Sequence, residues 1–139
     1  MNNGSTLFRM IRSLTAQVNE HDSQHGRMAM VVEAVHNAKA RGEVTINDVA
    51  DELGIDQSGA SRLVSQAITA GLIKREKSAL DGRSRQCSIT PAGEQLLAAA
   101  RKWQEDVYNR LTTDWSSTEK TQFANAMERI IIAAKSDLP

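Results

Sequence analysis

A chain of 139 residues is long enough to bury a core of its own, and its 17 basic and 17 acidic side chains cancel, so bulk charge does not point to nucleic acid. The single cysteine, Cys87, excludes an intramolecular disulfide and agrees with a reducing, cytoplasmic compartment. The longest apolar run, residues 130–134, is far too short for a signal-peptide core or a membrane span.

Residues 1–6 are polar and expected to fray. Leu7, Ile11, Leu14 and Val18 then repeat at helical spacing, and Met28, Val31, Val32 and Val35 begin a second helix that closes near Gly42. Thr45 with Asp48 forms a near capping box before a third stripe, Ile46, Val49, Ala50 and Leu53. Gly54 ends that helix in the left-handed conformation. Asp56 caps the next, whose inward positions are Ala60, Leu63, Val64 and Ala67 with Ile68 beside them, and Gly71 stops it in the same way. Two short helices joined by so tight a turn must cross steeply, as in a helix-turn-helix. A strand, a charged tip at Asp81-Gly82-Arg83, a second strand and a helix start at Thr90-Pro91 follow, which is the order of a winged helix. Leu96, Ala100, Trp103, Val107 and Leu111 stripe a long helix, and Ser116 with Glu119 caps a last one carrying Phe123, Met127, Ile130, Ile131 and Ala134.

The fold class is therefore mainly α with a small β-hairpin wing: a winged helix-turn-helix flanked by terminal dimerisation helices. The expected division is 1–43 for N-terminal helices, 44–91 for the winged DNA-binding part and 92–139 for C-terminal dimerisation helices. The terminal stripes exceed what so small a winged core can cover, and packing against a second copy buries them. The alternative is a helical cap on a monomer. Twofold symmetry would also set two reading helices about 34–36 Å apart, one turn of DNA.

The outward face of the second short helix carries Gln57, Ser58, Ser61, Arg62, Ser65 and Gln66, small or hydrogen-bonding and without an acid. Such a face can enter a major groove, where Gln pairs with adenine, Arg with guanine, and Ser with bases or phosphates. Gly59 leaves room for close backbone approach. The bland reading is a solvated face, but the helix–helix–hairpin order favours the groove. Between Gln57 and Thr90 six basic residues (Arg62, Lys74, Arg75, Lys77, Arg83, Arg85) stand against Glu76 and Asp81, so this neutral chain has a basic region. Arg83 and Arg85 on the hairpin can reach a minor groove or the phosphate backbone.

The segment resembles the MarR family of bacterial winged-helix transcriptional regulators. The resemblance is carried by Val49-Ala50-Asp51-Glu52-Leu53-Gly54-Ile55, Ser61-Arg62-Leu63-Val64, Gly71-Leu72-Ile73-Lys74-Arg75 and, above all, Asp81-Gly82-Arg83-Ser84 leading to Ile89-Thr90-Pro91-Ala92-Gly93. It covers roughly 50 residues closely and the flanking helices in layout only. It implies a cytoplasmic homodimer on a pseudo-palindromic operator of double-stranded DNA, commonly a repressor released by a small-molecule effector. It also maps the base-reading helix to residues 57–70, the minor-groove arginine to Arg83 and the wing-holding aspartate to Asp81. Arg85 and Gln86 depart from the apolar residues many relatives have there, and Gly59 from a commoner hydroxyl, which bears on operator sequence and not on the module.

Other constellations carry less. His21 and His25 flank Asp22 at metal-clamp spacing, but no partner ligand has firm spacing, so no metal site is expected. Cys87 lies near Arg85 as some redox sensors lie near cations, yet it falls on an inward strand position, where cysteine acts as a small hydrophobe. No nucleophile has a placed base and no Gly-rich phosphate loop is present, so neither an enzyme nor a cofactor is expected. The effector candidates are Arg12 and Arg27 for an anion and Met30, His36 and Trp103 as walls, with surface and core packing as the ordinary alternative for each. The rival functions are a winged-helix protein-interaction module and a ligand-binding protein without operator binding.

Overall fold

The computed structural model describes residues 2–19, 23–80, 82–83 and 85–138, so His21, Asp22, Asp81 and Ser84 lie outside the described residues. The chain runs through α1 (Asn3–Asn19), α2 (Ser23–Ala38), a 3-10 turn (Lys39–Arg41), α3 (Ile46–Leu53), α4 (Gln57–Thr69), β1 (Ile73–Lys77), β2 (Arg85–Ile89), α5 (Pro91–Leu111) and α6 (Ser117–Ser136). Mainly helical with one antiparallel hairpin, it has the expected fold class. It divides into two compact units, Met1–Ala100 and Arg101–Pro139.

The core of the first unit is built on α2. Met28, Val31, Val32, Val35 and Ala38 recur at helical spacing and are all buried, as the stripe predicts. They meet Val49 and Ala50 of α3, Ala60, Val64 and Ala67 of α4, Ile73 and Cys87 of the hairpin, and Leu96 and Leu97 of α5 in one apolar cluster. Each fully buried valine contributes about 1.5–3 kcal/mol relative to exposure, so α2 stabilises the helix-turn-helix as much as the two short helices do. Helix α2 and the start of α5 thus share one core with the winged elements.

The joints are made by the residues expected. Thr45 and Asp48 complete a capping box at α3, and the Asp56 carboxylate accepts from the Gly59 N–H at 2.9 Å at α4. Gly54 and Gly71 adopt φ of 67° and 76° and close α3 and α4 with the same pair of bonds. In α4 the Gly71 N–H donates to the Ile68 carbonyl and the Leu72 N–H to the Ala67 carbonyl, both at 2.9 Å. Ile68 differs from expectation, being 37% exposed. At 100° per residue it falls between Gln57 and Ser61 in azimuth, at the edge of the outward face.

The hairpin pairs Ile73 with Ile89, Arg75 with Cys87 and Lys77 with Arg85. An isolated bridge joins β2 to Val44 on its other side, where the Cys87 N–H donates to the Val44 carbonyl at 2.7 Å. In the second unit, Thr112 is buried with its hydroxyl donating to the Tyr108 carbonyl, and Trp115 meets Phe123 edge to face at 5.1 Å. The Ser116–Glu119 capping box forms, and its hydrogen bonds hold the Glu119 carboxyl below the usual range. The terminal stripes remain largely uncovered within the chain: Ile11, Leu14, Leu111, Ile130 and Ile131 are exposed.

Candidate nucleic-acid interface

All six outward residues expected on α4, Gln57, Ser58, Ser61, Arg62, Ser65 and Gln66, are exposed, while Ala60, Val64 and Ala67 seat the opposite side in the core. The burial of those small residues brings the α4 backbone close to α2 and α3 and fixes which way the polar side points. The start of the helix adds partial positive charge beside Gln57 and Ser58, with the Gly59 N–H already taken by the Asp56 cap. Gly59 has a role the sequence did not disclose. A Cβ there would lie 2.7 Å from Oδ1 of Asp56, so the glycine clears space for the cap.

The wing presents cations. Lys74, Arg75, Lys77, Arg83 and Arg85 are all exposed, with Lys74 paired to Glu76 at 2.8 Å. Lys77 and Arg85 face each other directly across the strands. A like-charge cross-strand pair costs stability and concentrates positive potential at one place, an arrangement suited to an anionic partner.

The outer end of the wing is held by Glu43, a residue the sequence reading missed. Its carboxylate accepts from the Ser78 hydroxyl and, at 2.9 Å, from the Ala79 N–H, while the Leu80 N–H donates to the Ser78 hydroxyl at 3.1 Å. Glu43 precedes Val44, whose bridge to Cys87 brings it alongside the hairpin. Its partners are 35 and 36 residues away, so local spacing carried no signal. Removing a charged acceptor costs about 1.5–3 kcal/mol per bond. Glu43→Ala should therefore speed amide exchange at Ala79 by roughly tenfold or more and leave Val31 and Val32 unchanged. An unaltered rate at Ala79 would remove Glu43 as the wing's anchor.

The hairpin and α4 are locked together at Thr90. Its hydroxyl donates to the Gly71 carbonyl at 2.6 Å and accepts from the Gly93 N–H at 3.1 Å, and its own N–H donates to the Leu72 carbonyl at 3.1 Å. Gly93 packs so tightly there that a Cβ would lie 2.2 Å from the Leu72 oxygen. The Thr-Pro-Ala-Gly run thus joins the end of α4, the start of β1 and the start of α5.

Of the five effector candidates, Arg12, Arg27, Met30 and His36 are exposed on α1 and α2, and Trp103 lies on α5. Arg27 and His36 are nine residues apart on continuous α2, half a turn out of phase, so one helix face cannot carry both. A shallow cleft of about 530 Å³ is lined instead by His25, Met28, Ala70, Leu72, Gln95 and Leu96 among others. Cys87 is 3% exposed; burial pushes its thiol up, against a smaller opposing effect of Arg75. A protonated, inaccessible thiol is a poor nucleophile. Iodoacetamide at neutral pH should leave native Cys87 unmodified and alkylate it in denaturant. Rapid native alkylation would reopen the redox reading. Of His21 and His25 only His25 lies among the described residues, and no helix among them is long and apolar enough to cross a membrane.

A helix pair packed across a tight turn, an exposed polar second helix and a cationic hairpin locked to it define a winged helix-turn-helix fold. The MarR family model matches residues 29–84. YxaD, an uncharacterised helix-turn-helix-type transcriptional regulator of Bacillus subtilis (strain 168), is 29% identical over 89 residues, 64% of this chain and 62% of that protein. Among solved structures, a MarR family transcriptional regulator from Silicibacter pomeroyi superposes with a TM-score of 0.72 at 23% identity, covering 97% of this chain and 88% of that one. The MepR–DNA complex of S. aureus superposes at 0.63 and 22% identity, covering 96% and 99%. The winged segment is thus similar to the MarR family over residues 29–84, and the fold of these solved structures extends over nearly the whole chain. The relative and the solved structure it resembles are both named as transcriptional regulators.

Proposed function

We propose that this chain is a sequence-specific DNA-binding transcriptional regulator, a cytoplasmic homodimer acting as a repressor on a pseudo-palindromic operator. The observation that carries the reading is the single exposed face of Gln57, Ser58, Ser61, Arg62 and Ser65 beside a cationic wing rigidly joined to the same helix. In this reading α4 enters the major groove, and Arg83 and Arg85 meet the minor groove or phosphates. The apolar side chains left exposed on α1, α5 and α6 support a role for the terminal helices in pairing two copies, each contributing one reading helix. A small-molecule effector would act by favouring a dimer whose reading helices no longer match one DNA turn. The protein-binding rival would want an apolar or acidic face on α4, and the face present is neither.

The test is selection of duplexes from a random-sequence library by the intact chain, followed by sedimentation of the free and bound protein. Enrichment of an inverted repeat bound by two chains is the expected result. Failure to enrich any sequence, or a monomer at micromolar concentration, would overturn the operator reading.

A further inference from the structure

Leu80 is 87% exposed, more than any other large apolar residue among those described as exposed, ahead of Leu138 and Ile132. Single exposed leucines are common on protein surfaces and ordinarily mean nothing. This one is held in place. The two successive amides that present it, Ala79 N–H and Leu80 N–H, are tied to the Glu43 carboxylate and the Ser78 hydroxyl, and Ser78 is itself buried. The leucine thus stands on an anchored stretch of backbone, displayed to solvent beyond the end of β1. Cations outnumber acids nearby: Lys77 and Arg85 face each other at the wing's outer end and Arg83 follows three residues on, against Asp81 in the sequence and the Glu43 carboxylate.

We propose that Leu80 is an apolar DNA contact, seated against the deoxyribose walls of the minor groove where the wing meets the duplex. The inference rests on the DNA-binding reading and adds to it a residue that reading does not use. Cations around the leucine favour a polyanion over an apolar protein partner. The minor groove offers an apolar surface, the sugar edges, between two rows of phosphate, which matches one leucine set among lysine and arginine. Minor-groove proteins do place apolar side chains in this groove, there as wedges between base steps.

The probe is the duplex that the intact chain enriches from a random library, with binding followed across a salt titration. Burying a leucine on association is worth about one factor of ten, so Leu80→Ser should weaken binding roughly tenfold. Because no charge is removed, the slope of log K against log salt should stay that of the parent, whereas Arg83→Ala should lower it by up to about one unit. Leu80→Met should restore affinity to within about twofold, since the volume-conserving swap keeps the apolar contact. Hydroxyl-radical cleavage should show loss of sugar protection at the wing's landing site in Leu80→Ser alone. Equal binding by Leu80→Ser and the parent overturns the proposal and leaves the DNA reading standing. So does a reduced salt slope in Leu80→Ser, which would mean the cations were displaced. A lower melting temperature or altered sedimentation of the free variant also overturns it, placing Leu80 against protein. If the parent enriches no duplex, both readings fall together.

Discussion

Gly93→Ala is expected to destabilise the first unit by roughly 2–4 kcal/mol, an unusually large effect for adding one methyl group. The Cβ would lie 2.2 Å from the Leu72 carbonyl oxygen and 2.7 Å from Cγ2 of Ile89. The nearer neighbour is backbone and cannot swing aside. The Leu72 carbonyl accepts the Thr90 N–H, so relieving the clash stretches that bond and, through the Thr90 hydroxyl, the contact with Gly71. Leaving a buried amide or carbonyl unsatisfied costs about 1–3 kcal/mol, and overpacking adds a similar amount. The better helix propensity of alanine offsets about 1 kcal/mol of this. Gly26→Ala supplies the contrast, because its Cβ would meet nothing within 4 Å inside α2. That substitution should raise stability by up to about 1 kcal/mol. Denaturant unfolding of the two variants beside the parent checks both signs. A Gly93→Ala protein as stable as the parent would mean that the α4–β1–α5 joint yields at little cost.

The features legible in the sequence are those whose physics is local. Helical stripes, the Thr45 and Asp56 caps and the left-handed Gly54 and Gly71 each involve residues within about one turn of one another, and each formed as read. The inward position of Cys87 followed from strand alternation in the same way. What stayed hidden depends on chain segments distant in sequence. Glu43 reads as one more acid near a helix junction until the Val44 bridge sets it beside Ser78. Gly93 reads as a family signature, and only the approach of the Leu72 carbonyl shows why no side chain fits. Ile68 was misplaced by counting apolar neighbours instead of azimuth. The effector candidates rest on chemistry alone, and the half-turn between Arg27 and His36 keeps those two off one helix face.

On the operator, Gln57→Ala or Arg62→Ala should cost roughly 1–3 kcal/mol if either side chain pairs a base edge. Both project from the first half of α4, Gln57 from its first residue and Arg62 one turn beyond Ser58, and both are exposed. The first turns of a reading helix approach base edges, while wing cations and free helix amides hold phosphates. The two substitutions then separate reading from attraction. Gln57→Ala removes no charge, so binding to random duplex and its salt dependence should barely change while operator affinity falls. Arg62→Ala should follow the same pattern if its guanidinium meets guanine. If it meets phosphate instead, both duplexes weaken alike and the salt slope drops by about 0.9. Neither side chain touches the core that Ala60, Val64 and Ala67 bury, so the melting temperature of each variant should match the parent's. Parent-like binding of both variants to operator and random duplex would show that α4 does not read sequence. The cationic wing would then have to account for all DNA affinity, and selection from a random library should return no consensus.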